Sequence, residues 1–320
     1  MPENKLFPPE GLHPALRPTL SDLRDALESG EILEAPVQRC GVDHTLRLSL
    51  AGVHGYIPRE DAVAPWISGA DRGIAVLSRV GKPTCFTVVS LEADGKGAPV
   101  ARLSRRAAQE RAMEFFLEHL TPGALLTGRV TRLEPFGAFV DVGCGIVAML
   151  PTEHISVSRI SHPGDRFQPG QKILAAVRSL DPETRRITLT HRELLGTWME
   201  NASRFRPGET VRGTVRTVKE YGSFIELTPN LSGLADARDL VPGSGASVLI
   251  KSIRPERMKI KLQVIEALPP APPEPLQYQI TDGVLDRWVY SPPNYEKPPV
   301  ETVFRTEEPP EDGEAREASP

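Results

Sequence analysis

The clearest alternation of apolar and polar positions lies between residues 123 and 190. Apolar residues follow a period of two there, interrupted by turn signals at Glu134-Pro135, at Gly143 and Gly145, and at Asp181. This alternation predicts short half-buried strands separated by tight turns. Five short strands within about seventy residues are typical of a small closed antiparallel barrel. The predicted strands cover residues 126–133, 138–142, 146–150, 173–180 and 186–190.

The same pattern recurs further along the chain at a constant offset of 85 residues, as between Phe136 and Tyr221. Four unlike residues keep this offset, and its length exceeds that of a solenoid unit, so the sequence predicts tandem barrel domains. The other matched pairs are Gly128 with Gly213, Gly137 with Gly222 and Phe139 with Phe224.

At these residues the chain resembles the RNA-binding repeat named after small-subunit ribosomal protein S1. The motif is G-x-V, then F/Y-G-x-F-V/I-D/E, an apolar strand, P-G-Q-K and a final R-I-x-L-T. The phrases LGTWMENASRFRPGETVRGTV and RGIAVLSRVGKPTCF are similar to S1-like proteins of Gram-positive bacteria, of Clostridia in particular. The resemblance covers roughly residues 20–305. It implies a mainly β chain of three tandem five-stranded OB-fold barrels (oligonucleotide/oligosaccharide-binding) joined by short helices.

The first of the three barrels is divergent. Gly55–Pro58 corresponds to Ala148–Pro151 at an offset of 93 residues, which places Asp43 and Leu46 where the second barrel has Phe136 and Phe139. This copy therefore lacks the aromatic pair. We expect a structural or protein-contacting role for it, and the alternative is residual RNA contact through Arg59, Arg79 and Lys82.

Helical patterns precede and connect the barrels. Thr19 or Ser21 is the predicted cap of a short helix that ends at Gly30. Ser104 is the predicted cap of a linker helix over residues 104–120. Arg105 and Arg106 lie in its first turn and are expected to be solvent-exposed or to contact phosphate. In the linker helix over residues 193–205, the apolar side chains are expected to pack between barrels; they are Leu194, Leu195, Trp198 and Phe205.

The remaining segments complete the predicted organisation. The Pro-rich stretch at residues 268–275 is a stiff spacer, and Leu276–Tyr290 is a predicted β-hairpin with its turn at Asp282-Gly283. Both termini are expected to be disordered. The predicted parts are disordered residues 1–18, barrels over 19–103, 121–192 and 206–266, linker helices over 104–120 and 193–205, the spacer and hairpin over 267–306, and an acidic tail over 307–320.

Charge is distributed unevenly along a chain whose net charge is −4. Residues 205–266 hold ten basic and seven acidic side chains, whereas residues 267–320 hold four basic and eleven acidic ones. The barrels are therefore mildly basic, which suits a polyanionic partner. The three cysteines lack C-x-x-C spacing, and the chain has neither an apolar run of membrane-spanning length nor a secretory signal at its start. These features favour a reducing, cytoplasmic setting.

Two aromatic residues per barrel are the candidate platforms for unpaired bases. Single-stranded RNA exposes flat bases and a charged backbone, which rings beside basic side chains recognise. Phe136 and Phe139 are three residues apart and would face opposite ways in a regular strand. Gly137 permits a bulge that brings both rings to one side, and Gly222 serves Tyr221 and Phe224 in the same way. The alternative is that one ring of each pair is part of the core.

The resemblance implies further site residues. The family combines the rings with a His after the third strand and an Asp…Arg pair around the last turn. By position the Asp…Arg pair is Asp181 and Arg186, and Arg254 and Lys259 occupy the same places in the third barrel. Pro151 and Asp236 stand where the His is expected, and His154 is a candidate substitute. The candidate phosphate partners, each of which is otherwise a solvent-exposed charge, are Arg129, Arg132, Lys172, Arg212, Arg216, Lys219 and Lys251.

The chain carries no catalytic signature. It has no P-loop, no G-x-S-x-G and no H-E-x-x-H, and its histidines lack metal-ligand spacing. We therefore predict non-catalytic binding of single-stranded RNA, mRNA in particular, without cofactor or metal. The expected partners include the small ribosomal subunit, and no membrane or small-molecule substrate is expected. The alternative is a protein-interaction scaffold on the ribosome with little direct RNA binding.

Overall fold

The computed structural model describes residues 6–12, 17–67, 69–272 and 275–305. Three closed five-stranded barrels make up most of the molecule. The mainly β architecture with short helices is therefore confirmed. In each barrel the first, second, third, fifth and fourth strands are neighbours in that order. The third and fifth strands pair in parallel, and the other neighbours pair antiparallel.

The first barrel is preceded by helix α1 (Leu20–Ser29) and carries helix α2 (Gly69–Leu77) between its third and fourth strands. The Thr19 hydroxyl accepts the backbone N–H of Asp22, and Gly30 ends α1 in the left-handed conformation, as predicted. Its strands are β1 (Leu33–Cys40), β2 (Leu46–Ser49), β3 (His54–Ile57), β4 (Pro83–Ala93) and β5 (Pro99–Ser104).

The second and third barrels repeat this arrangement around separate apolar cores. The inward faces of their strands fill these cores, and in β9 the outer face is buried as well, in a separate apolar cluster that includes Leu174 and Ala176. The second barrel comprises β6 (Leu125–Glu134), β7 (Gly137–Gly143), β8 (Ile146–Pro151), β9 (Lys172–Asp181) and β10 (Arg186–Thr190). The third comprises β11 (Thr210–Lys219), β12 (Gly222–Thr228), β13 (Leu231–Ala235), β14 (Gly245–Arg254) and β15 (Lys259–Leu268).

The two connectors differ from each other. Helix α3 (Arg105–His119) begins where predicted, because the Ser104 hydroxyl accepts the N–H of Ala107 at 3.0 Å. The prediction of one helix over 193–205 is wrong. A 3-10 turn at Arg192–Leu195 is followed by Gly196, whose φ of 86° breaks the helix, and then by the short helix α4 (Trp198–Ala202). Leu194, Leu195 and Trp198 are buried; Leu194 packs with residues of the second barrel, and Trp198 and Phe205 pack on the core of the third.

The prediction of disorder over residues 1–18 is wrong for the described residues 6–12, while residues 1–5 and 13–16 lie outside the described residues. The Phe7 ring packs 5.2 Å from the ring of Phe115. The buried Glu10 carboxylate accepts hydrogen bonds from Arg105 at 2.8 and 3.1 Å and pairs with Arg79 at 2.7 Å. This segment is ordered because a buried ion pair and aromatic contacts hold it against the first two barrels.

The same contacts correct the expectation for the two arginines at the start of α3. Arg105 is buried on Glu10, and Arg106 pairs with Asp61 at 3.1 Å. Arg105 is therefore not solvent-exposed, and both guanidinium groups are engaged by carboxylates. The buried thiols Cys85 and Cys144 lie nearby, and the hydrogen bond with Cys144, together with burial, raises the pKa of Cys85.

The predicted hairpin over Leu276–Tyr290 is wrong in its position. Strand β16 (Arg287–Val289) pairs instead with β17 (Glu301–Val303). The preceding apolar side chains, among them Tyr278 and Leu285, pack against Leu125, Leu174 and Ala176 of the second barrel. The predicted acidic tail over 307–320 lies outside the described residues. No helix in the described ranges has the length and apolar character needed to span a membrane.

Candidate nucleic-acid interface

The two rings of the second barrel lie together on its surface. Phe136 lies in the turn between the paired residues Glu134 and Gly137, and its side chain is 60% exposed. The half-buried Phe139 ring, on β7, is 6.0 Å from the Phe136 ring in an edge-to-face arrangement. The register shift lies between Val130 and Arg132 on β6, not at Gly137. Gly137 is needed for another reason, since a Cβ there would lie 2.6 Å from the carbonyl oxygen of Leu150.

The third barrel reproduces this pair. Tyr221 is 59% exposed, and its ring lies 6.2 Å from that of Phe224 at an interplanar angle of 90°. Gly222 has a φ of 134°, and a Cβ on it would lie 2.2 Å from the carbonyl oxygen of Ala235. Neither Phe139 nor Phe224 belongs to a barrel core. All four rings are therefore at the surface.

We call four residues a cross-strand row when they lie directly opposite one another on the first, second, third and fifth strands of a barrel. One such row passes through each ring pair. The guanidinium carbon of Arg132 lies 4.5 Å from the centroid of the Phe139 ring, a cation–π contact. The row of the second barrel is Arg132, Phe139, Met149 and Thr188. The row of the third barrel is Thr217, Phe224, Leu234 and Lys261.

The Asp…Arg pair implied by the resemblance also appears in the register. Asp181 lies directly opposite Arg186, and Arg254 lies opposite Lys259 at the same place in the third barrel. The Asp181 carboxylate accepts the Thr184 hydroxyl at 2.6 Å and the Glu183 N–H at 2.9 Å. These hydrogen bonds, that of the Thr184 hydroxyl above all, lower the pKa of Asp181. The candidate cations that are exposed to solvent are Arg132, Lys172, Arg186, Arg212, Lys219, Lys251 and Lys259.

Three candidate cations are held by other parts of the chain. Arg129 donates to the carbonyl oxygen of Glu10 at 3.3 Å, and Arg212 donates to that of Pro269 at 2.7 Å. Arg216 is mostly buried and binds Glu226 at 2.9 and 3.0 Å and Asp165 at 3.2 Å. These three side chains tie segments together, but of the three, within the part of the chain that the structure describes, only Arg216 has its charge neutralised by carboxylates.

His154 is half-buried, and its imidazole lies 3.7 Å from Glu153. Burial first, then the nearby charges of Arg192 and Arg178, lower the pKa of His154, so the ring is neutral at pH 7. Arg178 was missed by the sequence analysis. It occupies the register shift on β9 between Val177 and Ser179, the same place that Lys251 occupies on β14. The repeat itself was the signal that would have found it.

Arg159, also missed, lies on the loop between the two ring pairs. A cavity of 650 Å³ beside Phe136 and one of 440 Å³ beside Tyr221 are both lined by Val157, Ser158 and Arg159. This loop is docked on the third barrel. The Val157 N–H donates to the Asn230 side chain at 2.9 Å, and the Ser158 and Ser232 hydroxyls are 2.8 Å apart. No sequence signal identified Arg159, because its position depends on packing between barrels.

The predicted match of Leu46 in the first barrel with Phe139 in the second is wrong by one residue. Leu46 is fully buried in the core, and Arg47, not Leu46, occupies the place of Phe139. The chain from Arg39 to Arg47 is one residue longer than the matching chain from Arg132 to Phe139, which shifts the alignment. Of the alternative contacts expected there, Arg59 and Lys82 are exposed, and Arg79 is paired with Glu10. Within the described ranges, no group of three His, Cys, Asp or Glu side chains is placed to hold a metal.

Comparison with known proteins identifies the second barrel. The family model described as S1 RNA binding domain matches residues 119–192. The small ribosomal subunit protein bS1 homolog of Bacillus subtilis (strain 168) is 30% identical over 278 residues, covering 81% of this chain and 70% of that protein. The small ribosomal subunit protein bS1 of Leuconostoc lactis is 29% identical over 283 residues, covering 81% of this chain and 64% of that protein. A chain of the a/eIF2alpha-aDim2p-rRNA complex from Pyrococcus horikoshii OT3 matches at 24% identity with a TM-score of 0.23, covering 24% of this chain and 46% of that chain.

Proposed function

The chain belongs to the family of S1-like proteins that includes the bS1 homologues, and on this premise we propose that it binds single-stranded RNA through the ring pairs of its second and third barrels. The single observation that carries the proposal is the exposure of Phe136 and Tyr221, each 59–60% open to solvent beside a second ring. An aromatic ring in a turn exposes apolar surface to water, which is unfavourable, and its free face is suited to stack on a base.

Basic side chains supply the second part of recognition. Arg132 covers one side of the Phe139 ring, and Lys219 lines the cavity beside Tyr221 and Phe224. Lys261, opposite Leu234 in the same row, lies 3.7 Å from Asp236. Base stacking contributes about 1–3 kcal/mol per base and tolerates any sequence. Phosphate contacts add an affinity that falls with salt, with a log–log slope of about −0.7 per contact on single strands. The expected binding is sequence-tolerant and salt-dependent.

We infer further that one strand runs across both ring pairs. The loop that carries Arg159 lines the cavities on either side of it, so a strand leaving Phe136 meets a cation before it reaches Tyr221. Engagement of both barrels makes the second contact intramolecular and raises the overall affinity. Because the relatives are named small ribosomal subunit proteins, mRNA held at the small ribosomal subunit in the cytoplasm is the RNA we propose. No catalytic role is proposed.

Replacement of the four rings tests the proposal. The variant Phe136→Ala, Phe139→Ala, Tyr221→Ala, Phe224→Ala should lose most of its affinity for labelled oligouridylate, because it has no stacking surface in either barrel. Circular dichroism and thermal melting should show folded barrels, since the four rings lie outside the cores. The measurement is a fluorescence-anisotropy titration at several salt concentrations.

The matched control exchanges the exposed rings, Phe136→Tyr with Tyr221→Phe, and should keep its affinity. Unchanged affinity in a folded variant without the four rings would contradict the stacking mechanism. If the wild-type chain shows no saturable RNA binding at moderate salt, the chain acts instead as a protein-binding scaffold.

A further inference from the structure

The cross-strand row of the first barrel is made of arginines and a tyrosine. Arg39 on β1 lies opposite Arg47 on β2, Arg47 lies opposite Tyr56 on β3, and Tyr56 lies opposite Arg102 on β5. These are the strand positions that hold Arg132, Phe139, Met149 and Thr188 in the second barrel. The sequence of the first barrel indicated that it lacks the aromatic pair. The structure shows that the same strand positions carry three arginines and a tyrosine instead.

Two positive charges lie face to face in this row without a carboxylate between them. Arg39 and Arg47 are exposed, and among the described residues neither makes an ion pair. Like charges directly opposite on neighbouring strands destabilise a sheet. The nearest acidic neighbour along the chain, Asp43, accepts the Thr45 hydroxyl at 2.7 Å and the Thr45 N–H at 3.1 Å, and its charge interacts with that of Arg47 without forming an ion pair.

The other two residues of the row shape the site. The guanidinium carbon of Arg47 lies 5.4 Å from the centroid of the Tyr56 ring, so a cation–π contact restrains it. Arg102 is held at the far end by the buried Asp61 at 3.2 Å and by Glu60 at 3.7 Å, and its side chain remains 41% exposed. Among the described residues of this row, Arg39 and Arg47 are thus the two guanidinium groups without an ion-pair partner, and they lie beside one ring.

We propose that this row is a third nucleic-acid contact, at which Arg39 and Arg47 bind phosphates of the RNA backbone and Tyr56 stacks on a base. Guanidinium groups bind phosphate oxygens in a bidentate manner, and a bound phosphate removes the repulsion between the two arginines. The contact differs from those of the other barrels because it depends on charge more than on stacking. The inference rests on the proposed function and extends it to the first barrel.

The test uses the full chain with Arg39→Gln and Arg47→Gln. Loss of two phosphate contacts should make the log–log salt dependence of oligouridylate binding shallower by about 1.4 and lower the affinity at low salt by about tenfold. Thermal stability should stay equal or rise, because the opposed charges are gone. The matched control is Arg17→Gln with Arg24→Gln. It replaces two exposed arginines near α1 and removes the same amount of charge. It should leave the slope unchanged.

Each outcome decides one of the two proposals. If Arg39→Gln with Arg47→Gln keeps the wild-type slope and affinity while the four-ring variant loses binding, the third contact does not exist and the proposed function stands. An equal loss in the Arg17 and Arg24 control would also overturn the third contact, because general charge would then be responsible. If the four-ring variant binds like wild type, the proposed function fails, and the slope of the arginine variant still reports on the first barrel.

Discussion

At the scale of single residues, two glycines decide whether the rings are presented. Gly137 and Gly222 allow the second strand of each barrel to approach the third strand closely, and Phe136 and Tyr221 precede them in the turn. The sequence indicated that these two glycines are needed, and the reason it gave was a bulge. Their actual role is steric, since the backbone of the neighbouring strand fills the space that a side chain would occupy.

Gly222→Ala should destabilise the third barrel by about 2–3 kcal/mol, because the new Cβ would meet the Ala235 carbonyl oxygen in a backbone conformation that alanine adopts only with strain. Urea unfolding followed by tryptophan fluorescence measures the change. The control is Gly95→Ala, where a Cβ has nothing within 4 Å and the midpoint should stay the same. Equal midpoints for the two variants would contradict the steric argument.

At the scale of elements, buried carboxyl groups join the N-terminal segment to the first two barrels. Burial is the main cause that raises the pKa of Glu34 to about 7, and the nearby Glu10 charge adds to it. Burial and Glu10 likewise raise the pKa of Asp141 to about 7. Glu34 accepts the Gly11 N–H at 2.6 Å, and Asp141 accepts the Glu10 N–H at 2.8 Å. These hydrogen bonds favour the charged carboxylates, but burial outweighs them and favours the protonated form of both groups.

The contribution of Glu34 and Asp141 to the free energy of unfolding should fall as pH rises through the window from about 4.5 to about 7, because these two groups hold protons in the folded chain that the unfolded chain releases. Glu34→Gln imitates the protonated group at every pH and keeps an acceptor for Gly11. It should weaken this fall and raise stability at pH 8 relative to wild type. Thermal melts at pH 5 and pH 8 measure the effect, with the exposed Glu28→Gln as control. An unchanged pH dependence in Glu34→Gln would contradict the assignment.

The sequence predicted most of the barrels, because period-two alternation and the turn residues depend on local geometry. It also predicted the four rings, through the constant offset between repeats. It did not predict the roles of Arg105, Arg159 and Arg216, whose partners lie in other parts of the chain. The first barrel's row was missed because one extra residue between Arg39 and Arg47 shifts the alignment of β2 alone by one position, which exchanges the two faces of that strand.

At the scale of the whole molecule, an ion-pair network fixes the second barrel against the third. Arg166 and Arg216 share Glu226, and Arg216 also reaches Asp165. The Ser158 loop packs on the same barrel. The two ring pairs are thus held in one arrangement before RNA binds, so little ordering cost remains to be met on binding.

Arg159→Gln should therefore weaken binding of an RNA of about 20 nucleotides, which reaches both barrels, more than binding of one of about 5 nucleotides, which occupies a single barrel. Anisotropy titrations with the two lengths give the ratio of affinities. The control is Arg204→Gln, which removes an exposed charge elsewhere between the barrels. Equal losses at both lengths would contradict a strand that passes Arg159.

The most direct measurement of the central claim is photo-cross-linking of the full chain to an oligonucleotide that carries 5-iodouridine, with the cross-linked peptides identified by mass spectrometry. We expect cross-links at Phe136 or Phe139 and at Tyr221 or Phe224, because iodouridine reacts with the rings on which it stacks. Saturable RNA binding with every cross-link outside these two ring pairs would contradict the account.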